Sequence, residues 1–270
     1  MARYRLFLLI LPAAIVFTAF FLLPLAQLFI IGAGGKDGIA AYAAIVTDRN
    51  YRASLFATVL LSAGVTLATL IISGIAGVFL TRNRFPFRPA VTAMLTFPLA
   101  FPGVVIGFMV IMLAGRQGLV GDVTQWLFGD KLVFAYSMAG LFMGYVYFSI
   151  PRTILTVMAS AEKLDPKLEE AARSLGASPL RVVWDVIIPG LMPAFLAAGA
   201  ICFATAMGAF GTAFTLATRI NVLPMVIYTE FTDQANIAMA AALSFILGAI
   251  TWLVLAVART AAGSSVAAAG

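Results

Sequence analysis

The sequence predicts an all-α integral membrane protein with six transmembrane helices. Of its 270 residues, 63% are hydrophobic and only 10% are charged, and a water-soluble domain could not bury that much apolar surface in one core. Charged residues leave six long gaps, at 6–35, 53–81, 89–115, 132–151, 186–218 and 234–258. Each gap can span a bilayer, which requires about 20 apolar residues in a helix. The runs are continuous rather than alternating, which favours helices over the strands of a barrel.

These gaps predict a single transmembrane domain, 1–270, with helices at about 6–32, 54–80, 90–114, 132–159, 190–217 and 235–258. The first stretch is about twice as long as the apolar region of a signal peptide, so we expect it to remain as a span. After it, apolar residues recur at helical spacing: Ile39, Tyr42, Ile45 and Val46. This segment is either a short amphipathic helix on the outer membrane surface or a simple loop.

The distribution of basic residues orients the chain. With the N-terminus in the cytoplasm, the inner segments carry eleven Lys and Arg residues and the outer segments carry six. This asymmetry favours a cytoplasmic location for both termini. The formal charge of +6 is thereby explained by membrane topology, and no nucleic-acid partner is expected.

The third predicted helix contains residues that weaken a helix. Pro98 and Pro102 each remove a backbone donor, while Gly103 and Gly107 allow close packing. Carbonyl groups freed by a kink need partners from neighbouring helices, because lipid offers none. We therefore expect this helix to face protein.

A stripe of small and hydroxylated residues marks the fifth predicted helix. Gly208, Gly211, Thr212 and Thr215 follow the spacing i, i+3, i+4 and i+7, which places them on one helix face. Such a stripe either lines a transport path or packs tightly on a neighbouring helix. Tyr145, on the fourth helix, is a further candidate for the path.

The sequence lacks the residues of several chemistries. Cys202 is the only cysteine and there is no histidine, so neither catalytic residues nor a metal site are predicted. The nearest approach to a phosphate-binding loop, Gly35-Lys36, has Ile30 and Asp37 where glycine and Ser or Thr are required. Apart from Arg152, at the inner end of helix 4, no charged residue lies within the spans, whereas proton-driven carriers commonly have them. The energy source is expected to be another protein.

The segment 160–189, between the fourth and fifth helices, is the one long polar connection inside the chain. Asp165-Pro166 is a helix start signal, and Gly176 is a stop signal about ten residues later. Ser178-Pro179 repeats the start signal. The pattern predicts a helix-turn-helix elbow, for which docking to a cytoplasmic partner is the natural explanation.

The first helix of this elbow is amphipathic. Its apolar stripe consists of Leu168, Ala171, Ala172 and Leu175, and charged residues including Glu169 and Glu170 occupy the other faces. For a generic loop those charges would be a solvated surface. The two proline-bounded starts favour a docking surface instead.

These residues carry a resemblance to a known family. Glu170-Ala171-Ala172, then Gly176, then Val186-Ile187-Ile188-Pro189 resemble the EAA loop of permeases in binding-protein-dependent ABC importers. Val186 and Ile188 replace the usual isoleucine and leucine, which are mild apolar exchanges. The resemblance implies the type I importer permease fold, with a coupling helix between helices 4 and 5.

The resemblance also implies partners and a location. The coupling helix would contact a dimer of cytoplasmic ATP-binding subunits, which would hold the ATP and Mg²⁺, so this chain is expected to bind no cofactor and not to be an enzyme. The implied contact residues are Glu169, Glu170, Ala171, Ala172, Arg173, Gly176 and Pro189. A second permease subunit, expected to be a different chain, and a periplasmic binding protein would complete an importer in the bacterial inner membrane.

The solute is less constrained by the sequence. With Glu162-Lys163-Leu164-Asp165 included, the chain resembles the permeases for spermidine and putrescine, and it is similar to those for phosphonates, ferric iron and sulfur oxyanions. A polyamine path would be expected to contain carboxylates, and the predicted spans have none. A self-contained carrier or channel and a membrane scaffold remain the alternatives from other functional classes.

Overall fold

The computed structural model describes residues 2–35, 38–216 and 220–262, and the regular elements in these ranges are helical. Their bounds are α1 (Ala2–Phe17, continuing through a π turn at Thr18–Leu22 into Leu23–Ala33), α2 (Ala40–Thr47), α3 (Arg49–Arg82), α4 (Arg88–Thr96), α5 (Gly103–Ala114), α6 (Leu119–Phe128), α7 (Met138–Lys163), α8 (Pro166–Ser174), α9 (Pro179–Val182, a π turn at Val183–Ile187, and Ile188–Met207), α10 (Gly211–Leu216), α11 (Leu223–Thr232) and α12 (Ile237–Ala262).

Six helical stretches in the described residues are long and apolar enough to cross a membrane. They are Leu9–Ala33, Arg49–Arg82, Gly103–Phe128, Met138–Lys163, Pro179–Met207 and Ile237–Ala261. The predicted fold class, an all-α membrane protein with six transmembrane helices, is confirmed. The fourth helix extends to Lys163, beyond its predicted end at 159, and this places Arg152 near the middle of α7 rather than at its end.

The chain divides into two compact units, of which the first comprises Met1–Phe56 and Asn221–Ile250. Its core includes Ala41 and Ile45 of α2, Leu223 of α11, and Met239, Ala242 and Leu243 of α12. Of the two alternatives for the segment around 39–46, the structure has the helix, but its Ala41 and Ile45 side is buried in protein instead of lying on a membrane surface. Within the same unit, the Tyr51 hydroxyl donates a hydrogen bond to Glu230 Oε1 at 2.7 Å, and the Glu230 side chain is buried.

The second unit comprises Ala57–Ile220 and Thr251–Gly270. Helix α7 is central to it, because one of its faces packs on α9 through Val157 and Leu191 and another packs on α3 through Ile154 and Leu80. Both the elbow and the stripe of small residues belong to this unit, so α7 provides the frame that positions them.

The third predicted helix, 90–114, is interrupted rather than kinked. Helix α4 ends at Thr96, a 3₁₀ turn covers Phe97–Ala100, and α5 begins at Gly103. Phe101 precedes Pro102 and has extended backbone with ψ 133°, because the ring of a proline disfavours helical geometry in the residue before it. As expected, one face of α5 packs on protein: Ile106, Gly107 and Val110 are buried.

The fifth helix begins and ends earlier than its predicted range of 190–217. It is continuous from Pro179 to Met207, so the second arm of the elbow is the start of this span and not a separate helix. A π turn at Val183–Ile187 ends two residues before Pro189, which cannot donate a backbone hydrogen bond. Gly208 follows the end of α9, and α10 is a separate short helix.

Candidate partner interface and solute groove

Both arms of the elbow start with the caps that the sequence predicts. The Asp165 carboxylate accepts a hydrogen bond from the Lys167 backbone N–H at 3.0 Å, and Pro166 follows Asp165 as the first residue of α8. The Ser178 hydroxyl accepts one from the Arg181 N–H at 3.3 Å at the start of α9. Each cap satisfies a backbone donor that the first helical turn leaves without a partner.

Gly176 ends α8 in the conformation that the sequence predicts. Its φ is +83°, which residues with a side chain rarely adopt. The Gly176 N–H donates to the Arg173 carbonyl at 2.9 Å, and the Ala177 N–H donates to the Ala172 carbonyl at 3.0 Å. This pair of bonds is a Schellman motif, which closes the helix and turns the chain sharply toward α9.

Glu169 lies inside the protein, a position that its place on an amphipathic helix did not indicate. Its side chain is only 7% exposed, and Oε1 is 2.7 Å from Arg82 Nη2 at the end of α3. Arg173 donates to the other carboxylate oxygen at 3.3 Å. Arg82 also donates to the Leu164 carbonyl at 3.2 Å. This Arg82–Glu169 pair joins α8 to the end of α3 and to the residue that follows α7.

The remaining face of the elbow is exposed. Leu168 and Leu175 are 53% and 89% exposed, and Leu180 and Trp184 on α9 are 69% and 62% exposed. Glu170 stands beside this apolar surface and is also exposed. Large exposed apolar side chains bordered by charged ones are typical of a surface that another protein covers.

The other predicted contact residues divide between this exposed surface and its flanks. Ala171 and Arg173 are exposed, Ala172 is half-buried, and a Cβ added at Gly176 would meet open space. Pro189 is exposed within α9. Glu169 faces inward and holds α8 in place through its ion pair with Arg82. For the other residues, direct contact with a partner remains a prediction.

An open groove of about 420 Å³ lies between α7 and α9 in the second unit. Four predicted path residues line it: Tyr145, Gly208, Gly211 and Thr212. The Tyr145 hydroxyl donates to the Ala209 carbonyl, which uses its proton and fixes its ring in the groove wall. The groove is also lined by Ser149, Arg152 and Thr205.

The stripe of small residues also packs closely on a neighbouring helix, which was the second of the two interpretations of its spacing. The Thr212 hydroxyl donates to the Gly103 carbonyl at 2.9 Å, and the Thr215 hydroxyl lies 3.3 Å from the Val104 carbonyl. These bonds supply α5 with partners just after its interruption. Gly211 and Thr212 therefore both line the groove and pack closely on α5, whereas Thr215 only packs against α5.

We expect Gly107→Ala to destabilise the protein by about 2 kcal/mol, because overpacking forces neighbours to move. A Cβ at this position would lie 2.6 Å from the Thr215 Cβ. The matched control is Gly248→Ala in α12, where an added Cβ has nothing within 4 Å and higher helix propensity makes the change neutral or stabilising by up to about 1 kcal/mol. Unfolding midpoints in detergent measure both, and equal midpoints would contradict the close α5–α10 packing.

Arg152 is a groove residue that sequence reasoning placed at a helix end. Tyr145, Ser149, Arg152 and Thr156 follow helical spacing on one face of α7, and all four line this groove or the small cavity that adjoins it. That periodicity was available in the sequence. It was not recognised because Arg152 directly follows the charge-free stretch 132–151 and was therefore assigned to the inner end of the helix.

Comparison with known proteins identifies relatives of this chain. Residues 71–263 match the family described as the binding-protein-dependent transport system inner membrane component. The chain is 27% identical over 263 residues to a Salmonella typhimurium protein provisionally named a 2-aminoethylphosphonate transport system permease, PhnU, covering 93% of this chain and 92% of that protein. It is 30% identical over 219 residues to the Escherichia coli molybdenum transport system permease ModB, covering 78% and 93%.

Further similarity comes from one more relative and from a solved structure. The sulfate transport system permease CysW of Synechocystis is 28% identical over 223 residues, covering 81% of this chain and 80% of that protein. A chain in the crystal structure of a bacterial alginate ABC transporter, in complex with an alginate pentasaccharide-bound periplasmic protein, superposes with a TM-score of 0.77 at 16% identity, covering 94% of this chain and 92% of that one.

Proposed function

Because this chain belongs to the family of binding-protein-dependent transport system inner membrane components, we propose that α8 is the helix through which an ATP-binding subunit drives it. The chain is a multi-pass permease subunit of an ABC importer for small solutes in the inner membrane. In our proposal, a dimer of ATP-binding subunits holds ATP and Mg²⁺. A second, different permease subunit completes the path, a periplasmic protein delivers the solute, and both termini are cytoplasmic.

The exposed face of the elbow carries this proposal. Helix α8 is closed by a cap at one end and a Schellman motif at the other, so it can move as a rigid body. Its outward surface combines Leu168, Leu175 and Glu170, which suits a groove that is apolar with one basic residue. A connection that only crossed between two spans would need neither feature.

For the solute, we propose a small oxyanion or phosphonate. The names of three relatives specify 2-aminoethylphosphonate, molybdenum and sulfate, and the first and last of these carry a tetrahedral anionic group. The expectation of a polyamine rested on sequence resemblance alone, and these relatives do not support it. The residues that line the groove also favour an anion over a polyamine, because those described include Arg152 and no Asp or Glu.

Reconstitution tests the proposed function. We expect this chain, purified in mild detergent, to retain an ATP-binding subunit and a second permease subunit. Proteoliposomes of the complex should accumulate sulfate or 2-aminoethylphosphonate only with ATP and a loaded binding protein. Flux of solute through the chain alone would instead establish a self-contained carrier or channel.

A further inference from the structure

We propose that Arg152 is the residue of the translocation path that contacts the anionic group of the solute. This inference rests on the proposed function, because it takes the α7–α9 groove as this subunit's share of the path. It adds a specific residue and a chemical class to that function: a small solute with a sulfate-like or phosphonate-like group.

A charged side chain at the position of Arg152 is energetically unfavourable, which indicates a functional role. It lies near the middle of α7, a helix long and apolar enough to span the membrane. A charged side chain on a membrane-spanning helix is unfavourable in contact with lipid, and those that occur usually face a water-filled cavity or a transport path. Arg152 is exposed to the groove, and its guanidinium forms no ion pair or hydrogen bond with the described residues.

The surroundings of Arg152 suit an anion and not a cation. Ser149, one turn earlier on α7, and Thr205, across the groove on α9, are hydroxyl neighbours that line it with Arg152. None of the described residues lining the groove is Asp or Glu. The side-chain charge of the groove is therefore positive, and a polyamine would be repelled there.

The guanidinium group has the right geometry for this task. Its planar N–H donors can bond two oxygens of a tetrahedral oxyanion at once. A single such contact in an open groove attracts an anion without holding it strongly, and passage requires both entry and release. The site therefore fits a path residue better than a high-affinity binding site.

A charge-sensitive labelling experiment tests this inference without knowledge of the natural solute. The variant Cys202→Ser removes the only cysteine, and Thr205→Cys places a thiol on the groove wall. The complete complex is then treated with a sulfonate-bearing methanethiosulfonate and, separately, with its trimethylammonium counterpart. We expect the anionic reagent to be favoured about tenfold over the cationic one, as the field of one nearby charge predicts.

Three backgrounds make the result decisive. Arg152→Gln should abolish the preference, Arg152→Lys should keep it, and the exposed Arg259→Gln should leave it unchanged. An unreactive thiol at position 205, or a preference that survives Arg152→Gln, would overturn the inference. If Arg152→Gln does not assemble, Ser149→Asp replaces it, because a carboxylate one turn away neutralises Arg152 and should also remove the preference.

Uptake separates this inference from the proposed function. For whichever of sulfate or 2-aminoethylphosphonate the unaltered complex transports, Arg152→Gln should reduce uptake at least about tenfold, while ATP hydrolysis stimulated by the loaded binding protein persists. Undiminished anion uptake in Arg152→Gln would defeat the inference alone. Absence of ATP-dependent uptake in the unaltered complex, with the labelling preference intact, would defeat the proposed function alone.

Discussion

Glu169→Ala is expected to lower the free energy of unfolding by about 3 kcal/mol, because removing one partner of a buried ion pair leaves the other charge uncompensated. The partner left behind is Arg82, whose side chain is only 21% exposed and would keep just its hydrogen bond to the Leu164 carbonyl. Denaturant titration of the purified protein in detergent measures the change. Because this pair fixes α8 to the end of α3, ATP-coupled uptake should fall as well.

The chain provides a matched control at the next position. Glu170→Ala makes the same chemical change at an exposed carboxylate, where the effect on stability should lie within about 0.5 kcal/mol. The double variant Arg82→Leu/Glu169→Leu should recover much of the lost stability, since apolar residues can replace a buried pair. Equal losses for Glu169→Ala and Glu170→Ala would show that the Arg82–Glu169 pair does not stabilise the protein.

The elbow was predictable because its signals are local. A cap needs one side-chain oxygen two or three residues from a free N–H, and a Schellman motif needs one residue at positive φ. Asp165, Ser178 and Gly176 meet these requirements within a few residues of sequence. No distant part of the chain has to be known, so their predicted roles in starting and ending helices are confirmed.

The role of Glu169 was not predictable in the same way. On α8, Glu169 and Glu170 are neighbouring acidic residues, and helix periodicity assigns both to the polar side. What distinguishes them is Arg82, at the end of a helix far away in sequence. Only the packing of α3, α7 and α8 brings that guanidinium to one carboxylate and leaves the other exposed.

The partners of the interrupted helices are equally distant in sequence. Pro102 predicts a disturbance, but whether a helix bends or stops depends on what replaces the missing hydrogen bonds. Here the Thr212 hydroxyl, on α10, donates a hydrogen bond to the Gly103 carbonyl at the start of α5, and α10 is itself separated from α9 after Met207. The segments that follow the two interruptions are therefore in contact, and this contact was not evident from either segment alone.

The same two helices, α7 and α9, flank α8 and line the groove. Helix α7 leads into α8 and carries Arg152, while α9 starts at the elbow and carries Thr205. A displacement of α8 would therefore act on both walls of the groove through continuous helices. In the proposed importer, this gives ATP-driven movement a direct route to the residue that contacts the solute.

Glu170→Ala is expected to reduce ATP-coupled uptake at least about tenfold, because truncating one member of a charged interfacial contact costs about 2 kcal/mol or more. Glu170 is exposed beside the apolar elbow surface, so its loss should weaken attachment of the ATP-binding subunit without unfolding this chain. Uptake and retention of that subunit on purification measure the effect. The control is Glu162→Ala, an exposed carboxylate on α7 paired with Arg88 at 3.6 Å, which should retain both. Full uptake in Glu170→Ala would remove this carboxylate from the coupling surface and leave the apolar residues as its only support.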